Sequence, residues 1–127
     1  MKFRLSLFAF LITAFAYCQN LEGRWVNSGF LGEENLAYDF IKGQEIKMYY
    51  AGDQIPTNKP VKYELKKDGD SFVIEMHYVN SINGYNANVV GLIRFLDEDR
   101  IEMEFWDKAK LPEDMNFTEE SLIYQRQ

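Results

Sequence analysis

The sequence predicts an all-β domain, an eight-stranded antiparallel up-and-down barrel preceded by a cleaved signal peptide. Three observations carry the barrel. Apolar and polar residues alternate with a period of two in run after run, the signature of strands with one buried face. The connections between those runs alternate strictly between long and short. The first run opens on Gly23-Arg24-Trp25, a flexible residue followed closely by the largest apolar side chain.

The first strand spans Leu21 to Asn27, followed by a polar, Gly-containing connector, 28–35. In the second, Leu36, Tyr38 and Phe40 alternate with Ala37, Asp39 and Ile41, and Lys42-Gly43-Gln44 turns the chain. The third sets Ile46, Met48 and Tyr50 against Glu45, Lys47 and Tyr49 before a long loop, 51–59. Val61, Tyr63 and Leu65 form the inner face of the fourth. Its exit, Lys67-Asp68-Gly69-Asp70, is the strongest hairpin signal in the chain, because Asp-Gly tolerates positive φ.

Phe72, Ile74, Met76 and Tyr78 face inward on the fifth strand, ahead of a longer loop, 80–86. The sixth runs from about Ala87 to Leu96, and Gly91 within it suggests a bulge or sharp bend. Asp97-Glu98-Asp99 leads to the seventh, with Ile101, Met103 and Phe105 inward. The connector 107–119 is the longest, with one helical turn expected near Thr118-Glu119-Glu120 and Thr118 as its N-cap. Ser121 to Arg126 is the eighth strand. In a meander, alternate connections fall at opposite poles, so the four long loops should share one rim and the three tight turns should seal the other.

Residues 1–18 read as a signal peptide: Lys2 and Arg4, then an apolar run from Leu5 to Ala16 that is too short to span a bilayer. Cleavage is expected after Cys18, with Ala16 as a second option. Cys18 also admits a lipidated N-terminal cysteine, which the bulky Tyr17 before it disfavours. Residues 19–127 make one domain, large enough for a single core and without a disulfide once Cys18 is removed. Removing Lys2 and Arg4 leaves 12 basic residues against 20 acidic, a net charge of −8. That balance excludes nucleic acid and anionic membrane surfaces as natural partners.

With Gly23-x-Trp25 at the first strand, the eight-strand meander, the loop alternation and an arginine near the end of the last strand, the chain resembles the lipocalin-like (calycin) proteins in their small bacterial secreted form. The resemblance implies a barrel whose tryptophan, Trp25, plugs the closed end with an arginine packed across it, and Arg126 is the residue in position to do so. The chain is shorter than most lipocalins, lacks their second motif and has no C-terminal helix. Its opening is also similar to that of avidin-type barrels, but two tryptophans, Trp25 and Trp106, are too few to line a biotin pocket.

Candidate ligand-binding residues are the inward aromatics Tyr38, Phe40, Tyr50, Tyr63, Phe72 and Phe105. Strands of six to eight residues stand only roughly 15–20 Å high, which favours a mostly packed interior with a shallow cup at the mouth. The rim is marked by apolar residues in loops: Phe30, Leu31, Ile55, Pro56, Ile82, Tyr85, Leu111, Met115 and Phe117. Gly23, Trp25 and Arg126 are structural.

Catalytic chemistry is sparse. His77 is the only histidine and points outward, Asp97, Glu98, Asp99, Glu102 and Glu104 lack the spacing of a calcium loop, and no nucleophile has triad partners. Asn116-Phe117-Thr118 is a glycosylation sequon where the host performs that chemistry.

The expectation is therefore a secreted or periplasmic, non-enzymatic binding protein without metal or cofactor. It would hold a small apolar or amphipathic ligand at the open end. The alternative is a protein–protein interaction module, inhibitor-like or an envelope partner, that uses the long rim loops above a filled barrel.

Overall fold

The computed structural model describes residues 21–29 and 32–127. The expected signal peptide with Cys18, and the rim residues Phe30 and Leu31, lie outside the described residues. The strands are β1 (Gly23–Ser28), β2 (Glu34–Ile41), β3 (Glu45–Tyr50), β4 (Asp53–Gln54), β5 (Val61–Asp68), β6 (Ser71–Val79), β7 (Asn86–Asp97), β8 (Arg100–Asp107) and β9 (Leu122–Arg126).

Every pairing is antiparallel, and the sheet order β2-β1-β9-β8-β7-β6-β5-β3 closes on itself through a β2–β3 pairing. The eight long strands form the closed up-and-down barrel that the alternation predicts. β4 is an added two-residue strand inside the 51–59 loop, paired to the end of β3 through Tyr49↔Gln54 and Tyr50↔Asp53.

The wall is uneven. β6 and β7 run side by side over Phe72↔Ile93 to Val79↔Asn86, whereas β3 and β5 share only Glu45↔Lys62 and Ile46↔Val61. Above that short contact the edge of β3 is completed by its own loop, whose Ile55 amide donates to the Met48 carbonyl (2.8 Å). A surface groove of about 370 Å³ opens there between β3 and the 54–61 segment.

Inward residues form one cluster that runs from Leu21 and Trp25 at the sealed pole, through Phe40, Ile74, Ile93 and Ile101, to Met103 and Tyr124. Rings meet across the axis. Trp25 on β1 reaches Phe95 on β7 at 6.1 Å, Phe40 meets Tyr63 edge-on at 5.4 Å, and Tyr38 on β2 lies 5.3 Å from Phe105 on β8. Such contacts add to the burial of large apolar surfaces.

Three local expectations are corrected. Gly91 makes no bulge: the ladder runs unbroken from Ile74↔Gly91 to Gly91↔Phe105, and the β7–β8 irregularity falls between Phe95 and Asp97. The glycine makes room for a ring instead, because a Cβ at Gly91 would lie 2.5 Å from Cδ1 of Phe105.

No helix starts at Thr118. Its hydroxyl accepts from the Glu120 amide (3.1 Å) within a simple turn, while a 3-10 turn in this connector lies at Lys108–Lys110, capped by Asp107. The Thr118 amide and hydroxyl are drawn to the Glu104 carboxylate instead, which ties this stretch to the wall. The hairpin loop after β5 is Gly69-Asp70, one residue later than Asp68-Gly69, since Asp68 still pairs with Ser71; Gly69 supplies the positive φ of +62°.

Candidate functional site

The sealed pole explains the Gly-x-Trp signature. Trp25 is fully buried, and its Nε1 donates to the Leu21 carbonyl (2.8 Å). The guanidinium of Arg126 lies 4.2 Å above the indole ring, while its Nη1 donates to the Glu22 carbonyl (2.7 Å). Gly23 sits beneath that side chain with φ +122°, a backbone state L side chains rarely adopt, and a Cβ there would come 3.3 Å from Nη1. One cation stacked on indole thus satisfies backbone carbonyls and closes the floor at once. This pole is architecture.

The six inward aromatics are spread over the height of the barrel. Phe72 packs with Phe95 at 6.2 Å near the floor, and Phe40 and Tyr63 meet in the core. Tyr38 and Phe105 are neighbours in the upper half, and Tyr50 reaches the rim, 61% exposed.

The sequence reading names no inward residue on the last strand. The structure puts Tyr124 there, 1% exposed and 5.5 Å from Tyr38. The period-two pattern of Leu122, Tyr124 and Arg126 was the available signal, but a five-residue strand of mixed polarity makes it faint.

Tyr38, Tyr124 and Tyr78 bring phenol groups together in the upper barrel. Burial pushes the Tyr38 hydroxyl up to about 12, helped by Tyr78 and partly opposed by the hydrogen bond with Tyr124. Burial also raises Tyr124, with Tyr38 contributing, and raises Tyr78, with Tyr85 contributing. The series runs from Tyr85 at the rim inward through Tyr78 to Tyr38 and Tyr124. The hydroxyls of Tyr78, Tyr38 and Tyr124, all raised, stay protonated over the physiological range and act as neutral hydrogen-bonding groups.

The rim is where apolar surface remains open. Ile82 is 81% exposed and Tyr85 60%, both on the β6–β7 loop, and Leu111 is 40% exposed just past the 3-10 turn. Ile55, by contrast, turns inward and packs on the core.

The fourth long connector starts at this rim but does not stay there. Residues 111–121 fold down the outside of the barrel as a strap. The Thr118 amide and hydroxyl both donate to the Glu104 carboxylate (2.7 Å each), and the Ser121 hydroxyl donates to Glu102 (2.6 Å). Phe117 lies over the guanidinium of Arg94 (5.0 Å), itself paired with Glu102. Phe117 is therefore on the outer wall, beside a surface groove of about 590 Å³ that extends to Asp68 and Asp70 at the opposite pole. The strap covers the outward Leu92, which is 3% exposed. Outward Val90 and Leu92 give β7 a partly apolar outer face, and that is the sequence signal for a covered wall.

His77 faces outward and hydrogen-bonds Asn86. Among the described residues no three or more His, Cys, Asp or Glu gather as a metal site. No described helix is long and apolar enough to cross a membrane. The chain matches no protein-family model, and no curated protein or solved structure matches it at a significant level.

Proposed function

We propose that this is a secreted, non-enzymatic interaction protein of lipocalin-like (calycin) type and bacterial origin. In this reading a filled barrel holds long rim loops against the surface of another protein. The observation that carries the reading is the contrast between the interior, where inward rings meet one another across the axis, and the rim, where Ile82, Tyr85 and Tyr50 face solvent. Apolar residues gathered on one exposed pole mark binding surfaces. Aromatic-rich interfaces gain affinity from such rigid anchors. The absence of enzymatic activity is supported by what the carboxylates already do: Glu102 binds Arg94 and Ser121, and Glu104 binds Thr118.

A second reading keeps a small apolar or amphipathic ligand at the mouth, favoured by the tyrosine series from Tyr85 to Tyr124. The two readings separate by experiment. Native mass spectrometry of the exported protein, followed by titration with a lipid and isoprenoid panel, should show no bound species and no change in Trp25 or Trp106 fluorescence. A stoichiometric co-purifying small molecule would replace the docking reading with the ligand reading.

A further inference from the structure

The loop between β6 and β7 has a composition unlike the rest of the chain. Residues Asn80-Ser81-Ile82-Asn83-Gly84-Tyr85-Asn86 carry no charge, in a chain that is 27% charged with a net charge of −6. Asn, Ser, Gly and Tyr around a single large aliphatic side chain is the composition of recognition loops, in which small polar groups adapt and one or two rigid side chains anchor.

The loop is also held in place. The Asn80 amide donates to the Tyr85 carbonyl (2.9 Å) and the Gly84 amide to the Asn80 carbonyl (2.8 Å). The Ile82 and Tyr85 amides donate to the side chains of Asn80 and Asn83 (2.9 Å each). A second loop braces it from the side, through Ser81 N to Pro56 O (3.1 Å), Asn58 N to Val79 O (3.1 Å) and a Thr57↔Asn80 bridge. Loops that carry apolar residues usually fold them inward. Here the backbone is fixed by its own polar groups, and Ile82 is held 81% exposed. The ordering entropy that binding would otherwise cost is already spent in folding.

Resting on the docking reading above, we infer that Ile82 is the anchor of this surface, and that its partner is a folded protein with an aliphatic-sized apolar pocket bordered by basic side chains. The pocket follows from a lone aliphatic group on an uncharged apex, which an unpaired charge in the partner could meet only at a desolvation cost. The basic border follows from charge complementarity with an acidic chain. The same acidity opposes an anionic membrane, and one isoleucine is too little apolar surface to hold the protein on a neutral one. A stable complex buries roughly 1,200–2,000 Å² in total, so the contact extends from the loop over Tyr50 and Leu111 at the same pole.

The test places a photo-reactive benzoyl-phenylalanine at the exposed position 81 beside the anchor, or at 50 or 111, of the full chain in the exporting cell, with position 66 on β5 as control. The expected result is a discrete adduct with one protein from position 81 and none from 66. That protein, identified and purified, should bind the unmodified chain. Affinity should drop roughly 30-fold or more for Ile82→Asp, but only about threefold for Ile82→Leu, which keeps the anchor apolar. Raising salt from about 0.15 M to about 0.5 M should slow association.

Adducts at 50 or 111 without one at 81, or an Ile82→Asp protein that binds normally, would overturn the anchor and leave the docking reading standing. No adduct at any rim position would overturn both. An adduct with a second copy of the chain, or Ile82-dependent binding to phosphatidylcholine vesicles, would overturn the assigned partner.

Discussion

The two poles of the barrel use similar side chains to opposite ends. At the sealed pole, Trp25 is fully buried, its ring faced by Arg126 and its nitrogen bonded to Leu21. At the open pole, Tyr50, Tyr85 and Ile82 stay in water, held there by loops that satisfy their own backbone groups. The difference lies in what surrounds each apolar group. A core tryptophan brings neighbours inward and contributes stability by area, whereas an exposed isoleucine on a braced loop contributes almost none and is free to be used elsewhere.

Substitutions at the two poles should therefore differ by an order of magnitude. Trp25→Ala removes the floor, and denaturant unfolding should show a loss of about 3–5 kcal/mol, with Arg126 left without its ring. Gly91→Ala tests the wall between the poles. A Cβ 2.5 Å from the Phe105 ring forces that ring to move, at about 1–3 kcal/mol, and most of the loss should return in the double variant with Phe105→Leu. A Gly91→Ala protein as stable as the parent would contradict the ring-over-glycine packing.

On the outer wall, Glu104→Gln weakens a carboxylate that holds both the amide and hydroxyl of Thr118. We expect about 1–2 kcal/mol in stability, and faster amide exchange confined to residues 111–121. Uniform exchange changes across the barrel would sink the strap assignment.

Alkaline titration sharpens the comparison inside the barrel. Tyr38 is pushed up to about 12 from the usual 10.0 by burial. A phenol whose folded value is raised favours the folded state fully below the unfolded value. That contribution is lost as pH rises through the folded value. Stability should thus hold to about pH 10 and decline between pH 10 and 12. Tyrosinate absorbance should show Tyr38 ionising only above the usual 10.0 of a phenol, and a Tyr38→Phe variant should lack that late step. The smallest effect belongs to Ile82→Asp, whose thermal midpoint should match the parent's to within the ±0.5 kcal/mol or so typical of surface changes.

Much of this arrangement was legible in the chain. Period-two alternation located the eight long strands, and the long–short rhythm of their connections fixed a meander with one sealed pole. Gly23-x-Trp25 and Arg126 identified the floor. Legibility failed where distant residues decide a local outcome. Gly91 reads as a bend because nothing nearby says that Phe105, fourteen positions later, needs its space. Thr118 reads as a helix cap, but its donors go to Glu104, fourteen residues earlier in the chain. Phe117 reads as a rim residue because the path of a long connector depends on the wall it finds, here Arg94 and Leu92.

By itself, then, the sequence determined the barrel, its eight long strands, the inward faces of all but the last of them and the identity of its floor, since side-chain period and connection length are local quantities. Only the tertiary structure decided which inward rings meet across the axis, that the last connector straps the outer wall, and that Ile82 is held out into solvent. Those outcomes depend on which side chains meet across the closed sheet, and chain-local spacing carries no record of that.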